Sequence, residues 1–216
     1  MGNIGTLPGE RLAGLSADLF HKVQKGIITL DELALFTQRK NPFAFERNEH
    51  GHVVLSITGL DLTGEQEIER LLAAGFRVSD WAKSCLTSTK ADGYDAKHRL
   101  KDGRTYKVAL VPGKEIKRDA DRTTEALRKY AQRFGYEKPL AGIVPRIREA
   151  VSDEVMEKMG FWYIAGLHDP IKDSVGDPHV LRAFRSDGGL WLGASIDLPD
   201  FQWNAYGAFA FLVPAK

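Results

Sequence analysis

The sequence predicts an α+β fold, with helices mainly in the N-terminal and middle parts and an antiparallel sheet of about four strands in the C-terminal part. Helical periodicity and helix-capping residues recur before residue 160. Four strand-like runs follow, 161–167, 180–185, 190–196 and 208–213, joined by links rich in Gly, Pro and Asp. Close sequential strands with short links favour antiparallel pairing. Aromatic residues concentrate in the same closing stretch, which holds Trp162, Trp191 and Trp203, three of the four tryptophans.

Taken in order, residues 1–14 carry Gly2, Gly5, Gly9, Gly14 and Pro8 and read as a flexible lead-in to one domain over 15–216. Ser16 is the expected cap of a helix reaching about Lys25, stopped by Gly26. Thr29 and Glu32 form a capping box that opens a second helix toward Lys40, ended by Asn41-Pro42. The two make a helical hairpin over 15–45. Around Gly26 the sequence resembles the centre of an EF-hand, but His21, Lys22 and Gln24 stand where oxygen ligands are needed, so calcium is excluded.

Residues 46–159 read as mixed helices and strands. A strand is expected over 52–57 and a helix from Thr63 to Ala74, closed by Gly75. Ser79-Asp80 opens another helix carrying Trp81, Cys85 and Leu86. The polar run 87–103 is expected as a long loop, and 104–111 as a strand. Asp119 or Asp121 is the expected cap of a helix over 122–134, stopped by Gly135. Pro145 fits the first turn of a short helix, and Ser152 caps a last one before Gly160. The remainder, 160–216, is the expected sheet module.

The bulk numbers are those of a globular protein, with 43% apolar and 27% charged residues. One cysteine, Cys85, forms no internal disulfide, which points to a reducing, cytoplasmic setting. No apolar run reaches the length of a membrane helix, and the first residues lack the layout of a signal peptide, so no membrane partner is expected. The net charge of +1 conceals an uneven distribution: 97–148 carries fifteen Lys/Arg against six Asp/Glu, and both flanking segments are acidic.

Two places carry candidate chemistry. The run from His168 to His179 brings His168, Asp169, Asp173, Asp177 and His179 between two strand-like stretches. Imidazole and carboxylate are ligands for a divalent metal, and His168 beside Asp169 has the composition of a general base with its orienting acid. The spacing matches no metal signature, and Asp-Pro and Gly-Asp-Pro are ordinary turn chemistry, so turns are the favoured reading and neither metal nor cofactor is expected. In the basic middle, Lys97, Arg99, Lys101, Arg104, Arg122, Lys129 and Arg133 are candidates for nucleic acid or another polyanion. Arg122, Lys129 and Arg133 fall on one side of the expected helix. The charged side of a surface helix is the plainer explanation.

Common catalytic motifs are missing, and Cys85 falls on the inner side of its helix, where a cysteine acts as a small apolar residue. The chain therefore reads as a non-enzymatic binding or accessory protein that recognises an unidentified protein or small ligand through its C-terminal loops. His168, Asp169, Trp191 and Trp203 are the expected contacts. A metal-assisted or histidine-based enzyme using 168–179 is the third reading.

The series Leu167-His168-Asp169-Pro170-Ile171, Gly189-Leu190-Trp191-Leu192, Trp203 and Gly207-Ala208-Phe209-Ala210-Phe211 resembles a group of bacterial proteins of unknown function. The likeness extends to Gly26-Ile27, Asn41-Pro42-Phe43 and the segment from Thr123 to Tyr136. It implies a bacterial source and supplies no site residues. Trp203 with 207–212 is also similar to the closing strands of C-type-lectin-like domains, which implies a scaffold at most. A single cysteine rules out the disulfides of those domains, and no Glu-Pro-Asn motif is present.

Overall fold

The computed structural model describes residues 9–37, 45–186 and 189–214. The chain divides into two compact units, Met1–Phe45 and Glu46–Lys216. The first is the helical hairpin, α1 (Gly9–Gln24) and α2 (Leu30–Thr37). Helix α1 begins well before Ser16, because Glu10, Arg11 and Leu12 are good helix formers that absorb Gly9 and Gly14. Gly26, at φ 68°, makes the left-handed stop. The Thr29–Glu32 capping box is present in both directions, at 2.8 and 3.1 Å. The expected continuation of this helix to Lys40 lies outside the described residues.

The second unit is built on one sheet. Its strands are β1 (Val53–Thr58), β2 (Arg77–Val78), β3 (Thr105–Pro112), β4 (Tyr163–Gly166), β5 (Ile171–Lys172), β6 (Pro178–Ser186), β7 (Gly189–Ile196) and β8 (Gly207–Leu212). The order across the sheet is β1-β3-β8-β4-β6-β7-β2, with β5 added on β6. β8 runs antiparallel to β3 and parallel to β4, and β2 runs parallel to β7. The remaining pairs are antiparallel.

This corrects the expected fold class. The protein has a mixed α/β architecture on one eight-stranded sheet, not a four-stranded antiparallel module confined to the C-terminal part. The reason lies in the composition of β8 and β4. Both are apolar on each side, so both need cover on two faces and partners on two edges. The connection from β7 to β8 is long enough to carry β8 past β4, where β3 supplies its second edge.

The helices of this unit are α3 (Gly64–Ala73), α4 (Asp80–Leu86), α5 (Tyr94–Lys97), α6 (Thr124–Gln132), α7 (Ile143–Ala150) and α8 (Asp153–Lys158). Strand alternation sends two sets of side chains to opposite faces of the sheet. On one face Ala109, Val111, Tyr163, Ala165, Phe209 and Phe211 pack with Leu127 and Ala131 of α6 and with Trp203. On the other, Leu181 and Leu192 pack with Leu71 of α3, Ala82, Cys85 and Leu86 of α4, and Val144 of α7. Thr63, Ser79 and Ser152 cap α3, α4 and α8 as their sequences suggest. Helix α6 is capped by Thr123; Asp119 and Asp121 sit before it in a 3-10 turn. The expected loop 87–103 contains α5.

Gly207 is required by close packing, since a Cβ there would overlap the ring of Tyr163, itself in the core. Gly207→Ala is expected to cost about 1–3 kcal/mol of stability through overpacking, read as a lowered urea midpoint at unchanged slope.

Candidate functional site

The 168–179 stretch holds the short strand β5, paired with β6, and one tight turn after Asp173. His168 is fully buried. Its Nδ1 lies 2.6 Å from the Asp169 carbonyl and so carries the proton, while Nε2 accepts from the Leu181 N–H at 2.9 Å. Both ring nitrogens are therefore occupied. Burial, followed by the neighbouring His98, pushes its pKa down to about 3. The His98 ring meets it edge-on, with centroids 5.1 Å apart. Arg128 donates to the carbonyls of Leu167 and His168. A neutral imidazole with no open nitrogen, sealed from solvent, neither takes a substrate proton nor binds a metal.

Asp173 folds the rest of the loop. Its Oδ1 accepts from the N–H groups of Val175, Gly176 and Asp177, at 3.0, 2.8 and 2.9 Å. Burial works to raise this carboxyl, and the backbone donors outweigh it and hold it below the usual range. His179 donates from Nδ1 to the Asp177 carbonyl at 3.0 Å and lies under Trp81, with centroids 5.2 Å apart. Asp169 is at the surface, paired with Lys138. Among the described residues no group of three or more His, Cys, Asp or Glu is placed to hold a metal.

The expected aromatic contacts do not form one surface. Trp203 is buried; its Nε1–H donates to Thr124 Oγ1 at 3.0 Å and its ring packs on Tyr163, Phe201 and Phe209. Trp191 is half-buried, flanked by Phe184 on β6 and Arg77 on β2. Cys85 is buried and its thiol is pushed up to about 12 by desolvation and then by Asp173, which leaves it unreactive.

The seven basic candidates are also dispersed. Arg122 is a buried brace that donates to the carbonyls of Trp203 and Ile116 and pairs with Asp119. Arg99 pairs with Asp61 at 2.8 Å, and Arg104 lies over Tyr106. Lys97 and Lys101 are exposed on the connection before β3. Lys129 and Arg133 alone of the seven line a common groove, along α6 and its C-cap.

Sequence reasoning missed a different pair. Trp162 and Tyr206 are exposed, at 51% and 74%, and both line a groove of about 480 Å³ with Phe161, Arg185 and Asn204. Backbone bonds fix its walls. The Trp162 N–H donates to the Tyr206 carbonyl at 2.8 Å, and the Arg185 N–H to the Trp162 carbonyl at 3.0 Å. The Arg185 guanidinium sits 5.1 Å from the Trp162 ring centroid and pairs with Glu157 at 3.1 Å. A signal for Trp162 was present in Phe161-Trp162-Tyr163. Alternation buries the outer two and turns the middle ring outward.

Among the described residues no helix is long and apolar enough to cross a membrane. Comparison with protein-family models, curated proteins and solved structures finds no match for this chain.

Proposed function

We propose that this is a binding protein, acting in the cytoplasm, whose recognition site is the groove between Trp162 and Tyr206. The observation that carries the reading is the exposure of two large rings, side by side at the ends of adjacent strands, in one cleft of about 480 Å³. Aromatic surface left in water is costly, and in a cleft it is the usual anchor of an interface or ligand site. The walls are tied by backbone hydrogen bonds, so little ordering cost remains on binding. Arg185 and Asn204 supply the polar groups that fix orientation. The C-terminal strands and loops remain the recognition region, with Trp162 and Tyr206 in place of His168 and Trp203.

A fragment library screened by amide chemical-shift mapping tests the reading. Hits are expected to perturb residues 160–163, Arg185 and 204–206 together. Trp162→Ala should weaken them at least about tenfold at an unchanged melting temperature. Hits scattered over the surface, or unaffected by Trp162→Ala, would overturn it.

A further inference from the structure

A second groove, of about 430 Å³, runs between α6 and the connection that precedes it. Three cations line it: Lys117 from the connection, Lys129 on α6, and Arg133 one turn later at the C-cap of that helix. All three are exposed. Its one lining carboxylate, Asp121, is already held in a two-pronged pair by Arg118, at 2.7 Å for each oxygen. Hydrogen bonding and charge from Arg118 keep that carboxyl below its usual range. Glu125 is likewise matched by Lys129 at 2.6 Å, in an exposed, solvent-screened pair. Glu115 accepts from the Tyr130 hydroxyl at 3.2 Å and contacts His52 at 3.1 Å. Lys117 and Arg133 have no carboxylate partner among the described residues; Arg133 rests instead over the Tyr130 ring at 5.7 Å. The negative charge nearby is thus spent, and the positive charge of Lys117 and Arg133 is not.

The apolar part of the lining comes from Ile116, Ala126 and the ring of Tyr130. A groove that combines an apolar floor with converging, uncompensated cations suits a ligand with a flat apolar part and a phosphate. Its volume is that of a small-molecule site. We propose that this groove binds a nucleotide, with the base over Ile116 and Tyr130 and the phosphate between Lys117, Lys129 and Arg133. The ligand is either a free nucleotide or one unit of a single strand. This site is separate from the Trp162–Tyr206 groove and shares no lining residue with it.

The test is fluorescence anisotropy at 50 mM salt with two probes, a labelled AMP and a labelled ten-nucleotide oligothymidylate. Saturable binding of at least one is expected, weakened at least tenfold by the double variant Lys117→Ala, Arg133→Ala and unchanged by Trp162→Ala. Both substituted residues are exposed, so circular dichroism and the melting temperature should match the parent protein. If the source is a strand, the oligonucleotide binds far more tightly than AMP. Its affinity then falls about 20-fold between 50 and 200 mM salt, as three phosphate contacts require. If the source is a free nucleotide, AMP binds at least as well per site. No saturable binding of either probe up to 1 mM overturns the proposal. So does binding that survives the double variant, or competition by inorganic phosphate as strong as by AMP.

Discussion

Replacing Arg148 by alanine is expected to lower the unfolding free energy by about 3–5 kcal/mol, the usual cost of breaking a buried charged network from one side. Arg148 is fully buried. It donates to Asp153 at 2.9 Å, to the Val151 carbonyl, and at 3.4 Å to the Phe184 carbonyl, so it ties the end of α7, the start of α8 and strand β6 together. Burial pulls its pKa below the ordinary guanidinium value, with Asp153 acting in the opposite sense. Alanine would leave the Val151 carbonyl without its donor and open a cavity beside Met156, whose sulfur lies 3.6 Å from the guanidinium. Arg148→Met fills that space without the charge and should cost less than alanine. Urea unfolding of the parent and both variants is the measurement. A loss below about 1 kcal/mol for alanine would show that the junction holds without the arginine.

Acidification is expected to destabilise the protein in a window set by His168. Its folded pKa of about 3 lies below the unfolded value near 6.5. Between these values the unfolded chain binds the extra proton, so stability is complete above pH 6.5 and falls as pH falls toward 3. By pH 4 this one residue removes about 3 kcal/mol. His98, lowered first by burial, adds to the loss in the same direction. Urea unfolding at pH 7 and pH 4 should therefore show a smaller pH dependence for His168→Asn than for the parent protein. Equal dependence in both would mean that His168 is not held neutral.

Local features were legible in the sequence and distant ones were not. The caps at Thr63, Ser79 and Ser152, and the stops at Gly75, Gly135 and Gly160 with positive φ, involve contacts within a few residues, so a short window records them. Thr123 does not stand out as the cap from sequence, because Asp119 and Asp121 have equal capping chemistry and lie nearby. The place of β8 depends on β3, far away along the chain, and no local pattern states it. The two-residue strands β2 and β5 are too short to show alternation. The site followed the same rule. Asp173 forms the turn that its sequence suggests, through bonds to its next few residues, whereas the sorting of tryptophans between core and surface depended on which sheet face was covered. Trp203 went inward because α6 offers Thr124 and Leu127 beside it. Trp162 stayed outside between two buried rings.

The insertion of β8 between β3 and β4 also orders events in time. β8 is the last of the eight strands to be synthesised, yet it joins two groups of strands that do not otherwise pair, β1-β3 on one side and β4-β6-β7-β2 on the other. The contact between Val108 and Leu212 closes a loop of roughly a hundred residues, a slow step by the topology of the chain. Until it forms, β3 and β4 each present an open apolar edge of the kind that pairs with other chains. A nascent or C-terminally trimmed chain is therefore a predicted substrate for chaperones and proteases, and completion of the sheet awaits the emergence of β8 from the ribosome.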